Sequence, residues 1–193
     1  MADIIDILVV VDAQSIMKFI TDSKIKNDMN VDKPINLGAT TNYIHMLTPQ
    51  NIHYISGQGT SILWVKANLN DTIRWRGVTL SKDSEYSAAL MKFYPLKITA
   101  QAEVSKYFNA PEVKPVHSYV PVLKSDKPII YPNPVELDLQ PTDNYYWEVS
   151  VKRMPDHGKS VNNHYAFTIG IYKNGYLQAY VYWDPTIVLD STK

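Results

Sequence analysis

Tyr165-Ala166-Phe167-Thr168-Ile169-Gly170-Ile171-Tyr172, then Lys173-Asn174-Gly175, then Tyr176-Leu177-Gln178-Ala179-Tyr180-Val181-Tyr182-Trp183, is the stretch that decides the fold class. Side chains alternate across a strand. Tyr165, Phe167, Ile169 and Ile171 therefore share one face. Asn-Gly supplies the positive φ values of a tight hairpin turn. The returning run points Leu177, Ala179, Val181 and Trp183 one way and Tyr176, Gln178, Tyr180 and Tyr182 the other. This predicts an antiparallel hairpin with one buried face. Asp184-Pro185 breaks it, and Thr186–Leu189 follows as a short last strand.

Upstream, Asn144–Arg153 alternates, with Trp147, Val149 and Val151 on one face, and so does Val135–Leu139. Nine of the twelve prolines fall between Pro95 and Pro155. Proline cannot donate to a central ladder, so this region predicts edge strands and long connections. Thr72–Val78 alternates, with Ile73 and Trp75 opposite Thr72, Arg74 and Arg76. With Ser61–Ala67 and the tight turn Asn68–Asp71, it predicts a second hairpin. Tyr43–Thr48 and Glu85–Tyr94 complete the short strands. Ile4–Val11 is a continuous Ile/Val run, expected as a strand buried on both faces. Asp12–Phe19 has a weak helical pattern of a turn or two, and Thr21–Thr41 is polar and expected as a loop.

Eight or nine short strands with almost no helix predict one all-β domain over residues 1–193. An antiparallel β-sandwich, jelly-roll or immunoglobulin-like, is favoured over a closed barrel, because the prolines mark edges that a barrel lacks.

Composition narrows the function classes. Formal net charge is zero. That argues against an electrostatic footprint for nucleic acid or an anionic membrane, and it favours self-association. There is no cysteine. Disulfides, zinc thiolates, iron–sulfur clusters and thiol nucleophiles are therefore excluded. The N-terminal run carries Asp3 and Asp6 instead of a basic segment, so no signal peptide is expected. No apolar stretch approaches the 18 residues of a membrane span. The expected location is the cytoplasm.

No catalytic motif stands out. Gly57-Gln58-Gly59-Thr60 is too short for a dinucleotide loop and is expected as a turn. The five histidines show no paired spacing, and no two carboxylates are placed locally for acid–base work. A non-enzyme without a required cofactor is the expectation. The candidate ligand-binding residues are Tyr145, Asn162, Asn163, His164, Tyr165 and Asp184, from the aromatic-rich last quarter and its Asn-rich loops. Sugars stack on such rings beside Asn and Asp, which makes a lectin-like carbohydrate-binding module the alternative reading. Asn and Asp oxygens there also suit Ca²⁺. Arg74 and Arg76, on one strand face near Lys66, form a second, anion- or sugar-directed patch. The structural reading of the same residues is core aromatics and a solvated hairpin face.

Several motifs, in order, carry a family resemblance. Asp6-Ile7-Leu8-Val9-Val10-Val11-Asp12 opens the chain. Ser56-Gly57-Gln58-Gly59-Thr60 leads into Val65-Lys66-Ala67-Asn68. Asp71-Thr72-Ile73-Arg74-Trp75-Arg76-Gly77 follows, and Tyr180-Val181-Tyr182-Trp183-Asp184-Pro185-Thr186-Ile187 closes the set. Together, from about Asp6 to Val188, the chain resembles the AidA/PixA family of bacterial inclusion-body proteins. The resemblance implies a bacterial β-sandwich and a non-enzymatic protein; members of the family are associated with quorum-regulated expression and, in insect-associated bacteria, with intracellular inclusions. It brings no set of catalytic or ligand-binding residues.

Overall fold

The computed structural model describes residues 2–38, 42–49, 52–81, 85–95, 105–124 and 134–192. Among them, twelve strands form two sheets of a β-sandwich. The first sheet has the order β3 (Ile44–Leu47), β1 (Ile4–Asp12), β6 (Thr72–Leu80), β9 (Leu137–Ser150), β8 (Glu112–Leu123). The second has the order β2 (Ile35–Asn36), β11 (Tyr176–Trp183), β10 (Ser160–Lys173), β12 (Thr186–Asp190), β5 (Trp64–Ala67), β4 (Tyr54–Ser56). β7 (Tyr86–Pro95) also pairs with β10. The all-β sandwich expected from the alternating runs is the observed fold. Most pairings are antiparallel, and β1·β6, β11·β2 and β12·β5 are parallel.

The hairpin around Asn174-Gly175 forms as expected, with Asn174 at φ 50° and Gly175 at φ 81°. β10 is the hinge of the second sheet. Its first half pairs with β12, and its second half lies between β11 and β7. Tyr165, Phe167, Ile169 and Ile171 all point into the core.

Three local outcomes differ from the sequence expectation. Ser61–Ala67 and Thr72–Val78 do not pair as a hairpin. β5 belongs to the second sheet and β6 to the first, so Asn68–Asp71 is an arch between layers. The arch lets Val65 and Ala67 bury against the core from one side while Ile73 and Trp75 bury from the other. Asp71, itself buried, holds it closed by accepting from Asn68 N at 2.8 Å and Asp3 N at 2.9 Å. Second, the weak pattern after Asp12 is a full helix, α1 (Ala13–Asp22). The Asp12 carboxylate caps it by accepting from Ser15 N, and Ala13, Ile16 and Ile20 anchor it to the core. Third, the two alternating runs near 135–153 fuse into one fourteen-residue strand, β9, that carries Pro141 in its interior.

An aromatic cluster fills the centre between the sheets. Trp75 from the first sheet meets Tyr165 edge-on at 5.1 Å, and its Nε1 donates to the Tyr165 hydroxyl at 2.8 Å. Phe93 stacks on Tyr165 at 5.2 Å, and Phe167 stacks on Trp183 at 5.7 Å. Such ring pairs contribute about 0.5–1.5 kcal/mol each beyond their buried area.

The first sheet extends beyond the second. β9 pairs with β6 only from Trp147 to Ser150. Toward its start, β9 pairs with β8 alone, through ten further residue pairs ending at Leu123↔Leu137. At about 3.4 Å per residue this two-stranded arm projects roughly 30 Å.

Candidate functional site

The structure separates the candidate residues into four locations. His164 and Asp184 come together. They line a pocket of about 180 Å³ where the second sheet turns from β11 into β12, with Trp64, Trp183, Thr186 and Ser61 among its walls. His164 Nδ1 lies 3.0 Å from Thr186 Oγ1, so one imidazole nitrogen is engaged by the pocket wall itself. Asn162 is exposed two residues along the same outward face of β10.

Asn163 and Tyr165 point the other way, into the core. Tyr165 is 2% exposed, and burial pushes its phenol far above the usual tyrosine range. Asn163 is equally buried, and neither atom of its amide has a hydrogen-bond partner among the described residues. Strand period explains the split, because neighbours on one strand face opposite sides of the sheet.

Tyr145 sits on the first sheet at the base of the arm. Its hydroxyl donates to the Leu90 carbonyl at 3.1 Å, beside Trp147 Nε1, which donates to the same oxygen at 2.9 Å. Burial raises its pKa. The two rings thereby fasten β9 to β7.

Arg74 and Arg76 lie on the outer face of the first sheet. Both guanidinium groups stand over the Tyr146 ring, at 4.7 Å and 5.5 Å. Arg74 also donates from Nε to Glu148 at 3.2 Å. Arg76 has no carboxylate partner among the described residues. It borders a groove of about 350 Å³ lined by Asp6, Leu8, Leu47, Thr48 and Pro49. The register explains the groove floor, because Leu8 lies directly between Leu47 and Arg76 across three strands. Thr48 Oγ1 donates to the Asp6 carbonyl and holds the rim.

Two features were not among the sequence candidates. The groove is one: Ile4–Val11 is expected to be buried on both faces, but β1 buries only Ile5, Ile7, Val9 and Val11, and Leu8 on its other face meets Leu47 from a remote part of the sequence. The arm is the other. Its signal was available in the alternation Val113, Pro115, His117, Tyr119, Pro121, Leu123, which proline content obscured. His53, one of the five histidines whose spacing points to no site, is buried. Its Nδ1 lies 3.0 Å from the Lys66 carbonyl and its Nε2 3.2 Å from Asp3, so it ties β4 and β5 to the chain start. No group of three or more His, Cys, Asp or Glu placed to hold a metal ion occurs among the described residues. None of their helices is long and apolar enough to cross a membrane.

Comparison with known proteins agrees with this architecture. The family model described as PixA, inclusion body protein, matches residues 3–189. The crystal structure of an inclusion body protein of that family from Burkholderia cenocepacia J2315 superposes with a TM-score of 0.69 at 17% identity. The match covers 98% of this chain and 97% of that one, and at this identity it speaks for the fold. Among curated proteins no relative matches. With nearly its whole length inside the family model, the chain belongs to the PixA family of inclusion body proteins.

Proposed function

We propose that this protein is a non-catalytic, self-associating structural or storage protein that accumulates in cytoplasmic inclusions. Family membership across residues 3–189 is the observation that carries the reading. Two physical features support it. The chain has zero formal net charge and a pI near 7.0, so long-range repulsion between copies is minimal at neutral pH. Its strands also leave large apolar side chains in water, among them Leu80, Tyr119, Leu123, Leu137 and Leu139.

Sedimentation velocity over a wide concentration range tests the proposal. Species larger than the 22.0 kDa chain should appear and grow with concentration at pH 7, and recede at pH 9, where the chain is charged. A chain that stays monomeric up to millimolar concentration at pH 7 defeats the reading.

A carbohydrate-binding role, with or without Ca²⁺, is the second reading. The His164–Asp184 pocket between Trp64 and Trp183 is what favours it. A ligand at about 100 times its Kd adds about 2.7 kcal/mol, so a melting shift specific to one sugar would support it. A shift abolished by EDTA would bring Ca²⁺ into the site.

A further inference from the structure

The arm formed by β8 and β9 has a face that ordinary folding leaves uncovered. Odd-numbered residues of both strands share this face, which begins at Trp147 and Tyr145 as the core side of the first sheet. Further out no described residue covers it. Tyr119 is 70% exposed, Leu123 61%, Leu137 52% and Leu139 65%. These four side chains leave on the order of 500 Å² of mostly apolar surface in water, against about 800 Å² per partner in a standard interface. An isolated two-stranded ribbon is also marginally stable without something packed on it.

The strand edges of the arm are not built for pairing. Lys124 N donates to the Glu136 carbonyl, which makes the even-numbered pairs the hydrogen-bonded ones. Pro115, Pro121 and Pro141 all occupy odd-numbered pairs. Their missing N–H groups therefore face outward, two on the β8 edge and one on the β9 edge. Proline at such positions blocks addition of another strand. Association is left to the face.

The groove bordered by Arg76 fits what this face offers. Its floor is Leu8 and Leu47, and its rim holds one carboxylate, Asp6, and one guanidinium, Arg76. Its volume of about 350 Å³ suits an aromatic ring with a neighbouring aliphatic group. Charge agrees as well. From Glu112 to Glu148 the sequence has three lysines and six carboxylates, so this stretch carries −3 and the rest of the neutral chain +3. The arm's apolar face continues the inner side of the first sheet, whereas the groove lies on the outer side of that same sheet. One chain cannot bring the two together.

We infer that the arm of one copy docks in the Asp6–Arg76 groove of a second copy, with Tyr119 seated between Leu8 and Leu47. The Tyr119 hydroxyl donates to Asp6 at the groove rim. Each copy keeps a free arm at one end and a free groove at the other. The contact is heterologous, so each copy binds two neighbours and association continues past the dimer, into an open chain or a ring according to the rotation between copies. This inference rests on the self-association reading and specifies its geometry.

Complementation tests it. The arm variant is Y119D combined with L139D, and the groove variant is L47D combined with R76E. The mutated side chains are all solvent-exposed, and an unchanged circular dichroism spectrum and melting temperature verify folding. Sedimentation velocity then compares wild type, each variant alone, and an equimolar mixture. Wild type should form a concentration-dependent series, and each variant alone should associate at least tenfold more weakly. The mixture should produce a species of twice the 22.0 kDa chain mass and stop there, because one intact arm meets one intact groove. Groove variants that assemble like wild type, or a mixture that stays monomeric, overturn the inference while leaving self-association standing. A monomeric wild type removes both.

Discussion

Tyr165→Phe separates the central hydrogen bond from the aromatic packing around it. The substitution keeps the ring that stacks on Phe93 and meets Trp75, and removes only the hydroxyl that accepts from Trp75 Nε1. A fully buried indole N–H is then left without an acceptor, at a cost of about 1–3 kcal/mol. For a chain of this length that lowers Tm by roughly 2–10 °C. A second consequence follows from ionisation. Burial holds the folded-state pKa of Tyr165 far above the ordinary value of 10.0. Because the folded pKa is raised, the contribution is complete below pH 10. It declines as pH rises further, since the unfolded chain then releases the Tyr165 proton and the folded chain does not. The decline is about 1.4 kcal/mol per pH unit above 10 for wild type and zero for the variant at this site. Urea denaturation at pH 7, 9 and 11 measures both effects. The variant should be less stable by the stated amount at pH 7 and 9, and the gap should narrow by about 1.4 kcal/mol at pH 11. Equal stability at pH 7, or a gap that does not narrow at pH 11, refutes the reasoning.

Other expectations concern particular positions. Gly57 has φ +83° and no room, since a Cβ there would stand 1.8 Å from the Ile62 carbonyl oxygen. Gly57→Ala should cost more than about 3 kcal/mol in thermal or chemical melts. Gly175 has a similar φ of +81° but open space around it, so Gly175→Ala should cost only about 1 kcal/mol by the same measurement. Asp71→Ala strips the arch of the acceptor for Asp3 N and Asn68 N, and should destabilise by about 2–4 kcal/mol in urea titrations. Asp190 is held down to about 2 by hydrogen bonds from the hydroxyl and backbone N–H of Thr192, with Lys66 adding to them. Its contribution is present above the ordinary carboxyl pKa of 3.8 and is lost as pH falls through about 2. A carboxyl NMR titration should show Asp190 still ionised at pH 3.

The strands were readable where one face is buried and the other wet, because alternation then records the sheet directly. Tyr165–Trp183 is the clearest case, where Asn174-Gly175 fixes the turn and the apolar face is the core face. Where the turn between two alternating runs lacks an Asn-Gly signature, the sequence does not say whether they pair or part. Ser61–Ala67 and Thr72–Val78 have the pattern of a hairpin, yet Asp71 closes an arch that sends them to opposite sheets. Alternation within a strand is the same in either arrangement, and only the inter-layer packing distinguishes them. The weak pattern at Asp12–Phe19 understated α1 for a related reason. Its three anchors, Ala13, Ile16 and Ile20, gain their hold from the core beneath and not from propensity.

The candidate residues show the same division. His164 and Asp184 lie twenty positions apart and meet because the turn after Trp183 returns the chain beside β10. Asn163 and Tyr165, their sequence neighbours, face the core by strand parity. The sequence by itself determined an all-β sandwich, a neutral cysteine-free surface and the family pattern, since periodicity, composition and local turns need no knowledge of distant partners. Tertiary structure alone decided which sheet each strand joins, that the Leu8–Leu47–Arg76 row forms a groove, and that the β8–β9 ribbon outruns its sheet. Those outcomes depend on register and layer packing between segments that are remote in the chain.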